Sequence, residues 1–317
     1  MRELVIIVQA TLPVFVVMGL GVLLRRLRWL TASADASLLA LTINLLTPCL
    51  IFDKVLGSEA LSRASTVLLA PAVGFVVIAA SIGLAFATAH VFGLRTEPMR
   101  RTFAFCTGLQ NYGYFPLPLA LSLYGNDTAA VLFVHNLGVE IALWTLGVAV
   151  LAGVPLRAGA RRLLSPPAIA IVVAVVLNAT IGRAGVPSFV LQSVSLIGAA
   201  AIPLGLLLTG ATMADHARDL RGPGSVKTCL LACVLRLGLL PLLYCAALWG
   251  LDAGRELDQV FVLQAAVPAA VMPIILARHY GGDSVTALRV IVATTVGSVG
   301  TLPFWIHLTS RWVDGGP

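Results

Sequence analysis

Apolar residues fall in ten long blocks, approximately 4–24, 35–55, 65–92, 101–125, 128–151, 167–185, 188–213, 226–250, 257–280 and 285–309, and charged residues gather in the short stretches between them. A helix needs about 20 consecutive apolar residues to cross ~30 Å of hydrocarbon. The pattern therefore predicts an all-α polytopic membrane protein of ten spans, with nothing left over for a soluble domain. Two blocks carry breaks. In the fourth, Gly108-Leu-Gln-Asn-Tyr-Gly-Tyr-Phe-Pro-Leu-Pro118 holds two prolines, each of which removes a backbone donor and clashes with the carbonyl four residues back. In the ninth, Gln264-Ala-Ala-Val-Pro268-Ala-Ala-Val-Met-Pro273 repeats the arrangement of an amide before paired prolines.

The two breaks occupy corresponding places. A shift of 156 residues sets Tyr124-Gly-Asn-Asp127 on Tyr280-Gly-Gly-Asp283 and continues through Thr128/Ser284 and Thr145/Thr301; upstream, Pro118 meets Pro273 after a one-residue gap. The expected organisation is a first five-helix repeat over 1–151, a connector at 152–165, and a second repeat over 166–317. Five is odd, so the second repeat is inverted relative to the first. Interrupted spans at matching places in two inverted halves point to a transporter binding site. Non-helical backbone and amide groups at membrane depth are tolerated only where they are packed in protein or line a watery cavity. The candidate substrate residues are accordingly Gln110, Asn111, Tyr112, Pro116, Pro118, Gln264, Pro268 and Pro273, with Thr47 on the facing second span. The half-helices are expected to restart near Pro118 and Pro273 and to aim free N–H groups and positive dipole ends at one midplane region, where a carboxylate would bind.

Composition sharpens this picture. The chain is 59% hydrophobic and 11% charged, against roughly 25% charged in soluble domains. Its net charge of +7 is distributed over loops rather than gathered in a basic patch, which excludes a nucleic-acid partner. Of the 21 lysines and arginines, 14 flank the connections after odd-numbered spans. That bias places those connections in the cytoplasm and both termini outside it, in a cell membrane. The five cysteines lie in apolar blocks without zinc spacing and read as free thiols. The first block has no cleavage-like site and reads as a span.

Charges inside spans are costly and informative. Arg236 lies nine residues past Lys227, ~14 Å along a helix, where an unpaired arginine costs on the order of 3 kcal/mol. Glu140 lies at similar depth in span five. Two readings stand side by side: a structural Glu140–Arg236 ion pair, or a functional pair in which Arg236 reaches the substrate and Glu140, with His135 one turn earlier, takes up a coupling proton. No cofactor or metal site is expected, and coupling to a proton or a sodium ion is left open. Neither H-E-x-x-H nor G-x-S-x-G occurs, which argues against an enzyme. A channel is the stronger rival, since broken helices also build pores.

Asn111-Tyr-Gly-Tyr-Phe-Pro-Leu-Pro-Leu-Ala-Leu-Ser-Leu-Tyr-Gly125 resembles the fourth-span motif of the auxin efflux carrier family. Pro203-Leu-Gly-Leu-Leu-Leu-Thr-Gly-Ala-Thr-Met213 resembles its seventh-span motif, and Arg236 with Pro241 and Pro268-Ala-Ala-Val resemble later spans. The family includes the plant PIN-formed auxin carriers and bacterial carriers of malonate, malate and similar acids, and its fold is similar to that of bile acid/sodium symporters. The resemblance implies a scaffold of spans 1, 2, 6 and 7, a mobile domain of spans 3–5 and 8–10, crossing of spans 4 and 9 at the substrate, an elevator motion and a homodimer. It implies that Asn111 is the crossover asparagine. One departure is the second proline after the asparagine-glycine pair, where the family has one. The function expected is secondary transport of a small organic anion, by efflux or exchange; a sodium-coupled symporter is less expected because no acid stands beside Gln110, Asn111 and Gln264.

Overall fold

The structure is a computed structural model and describes residues 2–94, 96–155, 163–216 and 225–314. Much of the expected connector, including Arg157, Arg161 and Arg162, and three further basic residues of the charge count, Arg95, Arg218 and Arg221, lie outside the described residues. The described residues are helical, with one isolated β-bridge. Among the described residues, seven helices are long and apolar enough to cross a membrane.

The helices, in order, are α1 (Arg2–Arg26), α2 (Ala32–Val55), α3 (Ala64–Val91), α4 (Glu97–Gly108), α5 (Pro116–Leu123), α6 (Asn126–Ala152), α7 (Pro166–Thr180), α8 (Ser188–Gly198), α9 (Ala201–His216), α10 (Val226–Gly250), α11 (Arg255–Ala266), α12 (Met272–His279) and α13 (Ser284–Asp314). The expected fourth span is α4 plus α5 and the ninth is α11 plus α12. Each is therefore a 12-residue helix, an unwound stretch and an 8-residue helix. The unwound stretch is 109–115 in the first case and 267–271 in the second.

This geometry corrects the expected register. The second half-helices start at Pro116 and Met272, two residues before Pro118 and one before Pro273. Those starts are related by the same 156-residue shift as the downstream residues, so Pro273 corresponds to Leu117. The length difference lies wholly inside the breaks. After each short helix comes a glycine in the left-handed region, Gly125 (φ +97°) and Gly281 (φ +72°), which the turn into α6 or α13 requires.

Wide π-turns interrupt α2 at Thr42–Leu46 and α10 at Leu235–Leu239, just before Pro48 and Pro241. A proline has no N–H for the carbonyl four back and crowds it. The π-turn relieves both, passing the hydrogen bond to i−5, as in Thr47 N–H to Thr42 O and Leu240 N–H to Leu235 O (2.8 Å).

Packing sorts the helices into two groups. α1 runs along α9, and α2 packs on α7 and α8. Separately, α3 packs on α4 and α6, and α10, α11 and α13 pack together, with α6 on α11 and α4 on α13 joining these sets. At one corner of the first group, Arg25 at the end of α1 pairs with Asp35 of α2 (2.5 Å) and Asp215 of α9 (3.1 Å). Large apolar side chains along α1, α7 and α8, such as Leu12, Val16, Val172, Val176, Phe189 and Leu196, are exposed, as lipid-facing residues are.

Candidate functional site

The two breaks meet. Gln110 and Ala269 form an antiparallel bridge, with Asn111 N–H donating to Pro268 O (2.7 Å) and Ala270 N–H to Leu109 O (3.0 Å). Unwinding exposes backbone groups that water cannot reach at this depth, and pairing the two strands satisfies them.

Behind the bridge lies a buried polar ring. Gln110 Nε2 donates to the Tyr244 hydroxyl and to Gln264 Oε1 (3.3 Å). The Tyr244 hydroxyl meets His135 Nε2 (3.4 Å), and His135 Nδ1 meets Asn136 Oδ1 (3.3 Å). Gln264 Nε2 donates to the same Asn136 Oδ1 (3.0 Å) and to Tyr112 O (3.4 Å), while Asn136 Nδ2 donates to Tyr112 O (2.8 Å). Donors and acceptors alternate consistently if His135 is neutral with its proton on Nδ1: Tyr244 then donates to Nε2 and accepts from Gln110. In that arrangement both histidine nitrogens are satisfied structurally.

Arg236 is fully buried, and its Nη1 donates to Gln110 Oε1 (3.5 Å). Its Nε and Nη2 have no hydrogen-bond partner among the described residues. The Glu140–Arg236 ion pair is not formed. Glu140 instead accepts from Ser165 at the start of α7 (2.9 Å), because it points from α6 toward the other helix group. The π-turn in α10 contributes to Arg236's placement. Tyr244 is eight residues on, and one extra residue per wide turn brings positions eight apart onto the face that seven apart share in a regular helix.

The first break also touches the facing group. The Tyr114 hydroxyl is 3.3 Å from Thr47 Oγ1 of α2, and its ring covers Gly205 of α9, where an added Cβ would lie 2.5 Å from ring carbon Cδ1. Only glycine leaves room for this stacking. Asn111 is 9% exposed, and its side-chain amide has no hydrogen-bond partner among the described residues.

The N-terminal ends of α5 and α12 offer fewer donors than expected. Pro116, Pro118 and Pro273 have no N–H, Leu117 N–H is taken by Gly113 O (3.2 Å), and Ile274 N–H by Val271 O (3.1 Å). The dipole remains positive at both ends, but direct hydrogen bonds to an anion must come chiefly from side chains. Of the candidate residues, Gln110, Gln264, Tyr112, His135 and Arg236 therefore converge in one network. Asn111, Tyr112 and Thr47 line its front, the four prolines shape the breaks, and Glu140 stands apart. Tyr244, Tyr114 and Gly205 were missed as site residues. Asn136 sits beside the singled-out His135, and Gly205 lies inside a recognised motif, but nothing in their local sequence marks their partners.

A bundle of apolar helices with two interrupted helices joined at their breaks suits a membrane transport protein. Sequence comparison agrees: the family described as membrane transport protein matches residues 6–160 and 156–306. The chain belongs to this family, which is that of the auxin efflux carriers. An uncharacterized transporter of Methanothermobacter thermautotrophicus is 26% identical over 303 residues, 94% of this chain and 96% of its own length. An uncharacterized transporter of Schizosaccharomyces pombe is 33% identical over 118 residues, 37% of this chain and 26% of its own.

Proposed function

We propose that the protein is a ten-span secondary transporter of a small organic anion, with a carboxylate held at the meeting point of the two breaks. The observation that carries this reading is the Gln110–Ala269 bridge, with the unengaged Asn111 amide in front and a buried guanidinium behind. The helix groups support a division into a scaffold, α1, α2 and α7–α9, and a transport domain, α3–α6 and α10–α13, that moves as an elevator with spans 4 and 9 crossing at the substrate. Contacts such as Tyr114–Thr47, Ser165–Glu140 and Ser58–Asp127 (2.6 Å) would be exchanged in that motion. The reading includes an inverted repeat, both termini outside the cytoplasm of a cell membrane, efflux or exchange, and a homodimer.

The test is a thermal-shift panel of mono- and dicarboxylates with and without sodium. Ligands that bind the folded state raise apparent stability by mass action. A carboxylate that stabilises the native protein but not a well-folded Asn111→Ala, Gln264→Ala variant is the expected result. Equal stabilisation of both would move the site elsewhere. Cysteines at Ser33 and Asn126 should react with impermeant reagents from opposite sides, Ser33 from the cytoplasm.

A further inference from the structure

Arg236 is the largest side chain that is fully buried. Its neighbours supply hydrogen-bond acceptors but no counter-charge: the tie is to the Gln110 amide, and Glu140 is engaged with Ser165. Guanidinium does not give up its proton in proteins. Other basic groups on these helices are near their ends: Lys227 at the start of α10, where it binds Phe92 O (2.6 Å), and Arg289 near the start of α13. Arg63, at the start of α3, pairs with Glu256. Arg236 alone sits beside the breaks, on α10, which packs with α11 and α13.

We infer that Arg236 is a fixed positive charge that travels with the substrate site, so that the position of the empty carrier depends on membrane voltage. This rests on the carrier reading above. A bound monoanion would lie across the Gln110 side chain from the guanidinium and cancel its charge. Counting Arg236 and the bound monoanion, the loaded domain crosses the field neutral and the empty domain returns positive; Glu140, on the same domain, adds its own charge equally to both steps. An inside-negative potential favours the empty domain facing the cytoplasm. Each cycle exports one negative charge, and voltage acts on the return step rather than on the loaded one. The proline-limited supply of backbone donors at α5 and α12 fits this, since it leaves the compensation to a side-chain cation.

The experiment needs no substrate. A cysteine at Gly113, where an added Cβ meets nothing within 4 Å, is introduced into the full chain in liposomes polarised by a potassium gradient and valinomycin. Its reactivity with impermeant reagents on each side is compared with that of the chain lacking it. One charge crossing the entire field shifts an equilibrium about 50-fold per 100 mV; crossing a third to a half of it gives roughly four- to sevenfold. Arg236→Gln should change the voltage response by about that factor, and Arg236→Lys should preserve it. An Arg236→Gln protein with the parent's voltage response would overturn the inference. Should Arg236→Gln not fold, Glu140→Gln leaves Arg236 as the only charged side chain at that depth; the shift must then appear, and a flat response sinks the proposal. Reactivity confined to one side at every voltage in all variants would instead refute the carrier reading, and the inference with it.

Discussion

The two breaks are the same device built twice with different contents. Both separate a 12-residue helix from an 8-residue one, and each contributes one N–H and one C=O to the bridge. The second, Val267–Val271, is short, apolar and almost entirely buried. The first is two residues longer and carries Asn111, Tyr112 and Tyr114, of which Tyr114 reaches Thr47 in the other helix group. The difference teaches that the backbone device is shared, while the polar side chains within the unwound stretch belong to one copy. On the proposed function, the second break is a clasp and the first is the part that would meet a ligand.

The sharpest way to break this comparison is Ala270→Pro. It deletes the N–H that satisfies Leu109 O in a buried strand pair, and should cost about 3 kcal/mol or more, seen as lost folded yield and a lower Tm in detergent. Gly113→Ala in the first break, where the added methyl meets open space, should leave Tm nearly unchanged. Equal effects would show that the first break is as structural as the second. Next in size is Gln110→Leu, which strips Arg236 of its hydrogen bond to the Gln110 amide while leaving the charge buried; about 2–3 kcal/mol of stability should be lost, measurable by denaturant unfolding. Asn111→Ala should leave Tm almost unmoved and weaken carboxylate binding by about 1–2 kcal/mol in a ligand titration. Smallest is Tyr114→Phe, which removes one long hydrogen bond to Thr47 and should shift stability by about 0.5 kcal/mol. A larger loss would make the Tyr114–Thr47 contact a principal tie between the helix groups.

Much of this was legible in the sequence because the signals are local. Block lengths and the prolines of 116–118 and 268–273 are read within one segment. The repeat also showed through, though Pro118 paired with Pro273 misplaced the gap, because matching prolines weigh more than a helix start that only geometry reveals. The polar ring was half legible. Gln110 and Gln264 stand out as amides before breaks, and His135 and Arg236 as polar groups in apolar blocks. Their partners did not, since Tyr244 is recruited from another span and its facing depends on a π-turn. The supposed Glu140–Arg236 pair failed for a related reason. Equal depth says nothing about direction, and Glu140 faces Ser165 across the gap between helix groups.

Helix α7 is only 15 residues long, ~22 Å at 1.5 Å per residue, where the hydrocarbon of an ordinary bilayer is ~30 Å thick. Arg183, just beyond its end, cannot stretch that length outward by snorkelling, because its guanidinium is bound to the carbonyls of Asp53 (3.1 Å) and Leu56 (3.2 Å). Exposed Val172, Val173 and Val176 still demand acyl chains around them. On the ten-span reading the membrane dimples beside this helix, a hydrophobic mismatch costing fractions of a kcal/mol per ångström. The protein thus carries a lipid preference in a single short helix: bilayers of shorter acyl chains relieve the dimple, and thick, sterol-rich ones deepen it.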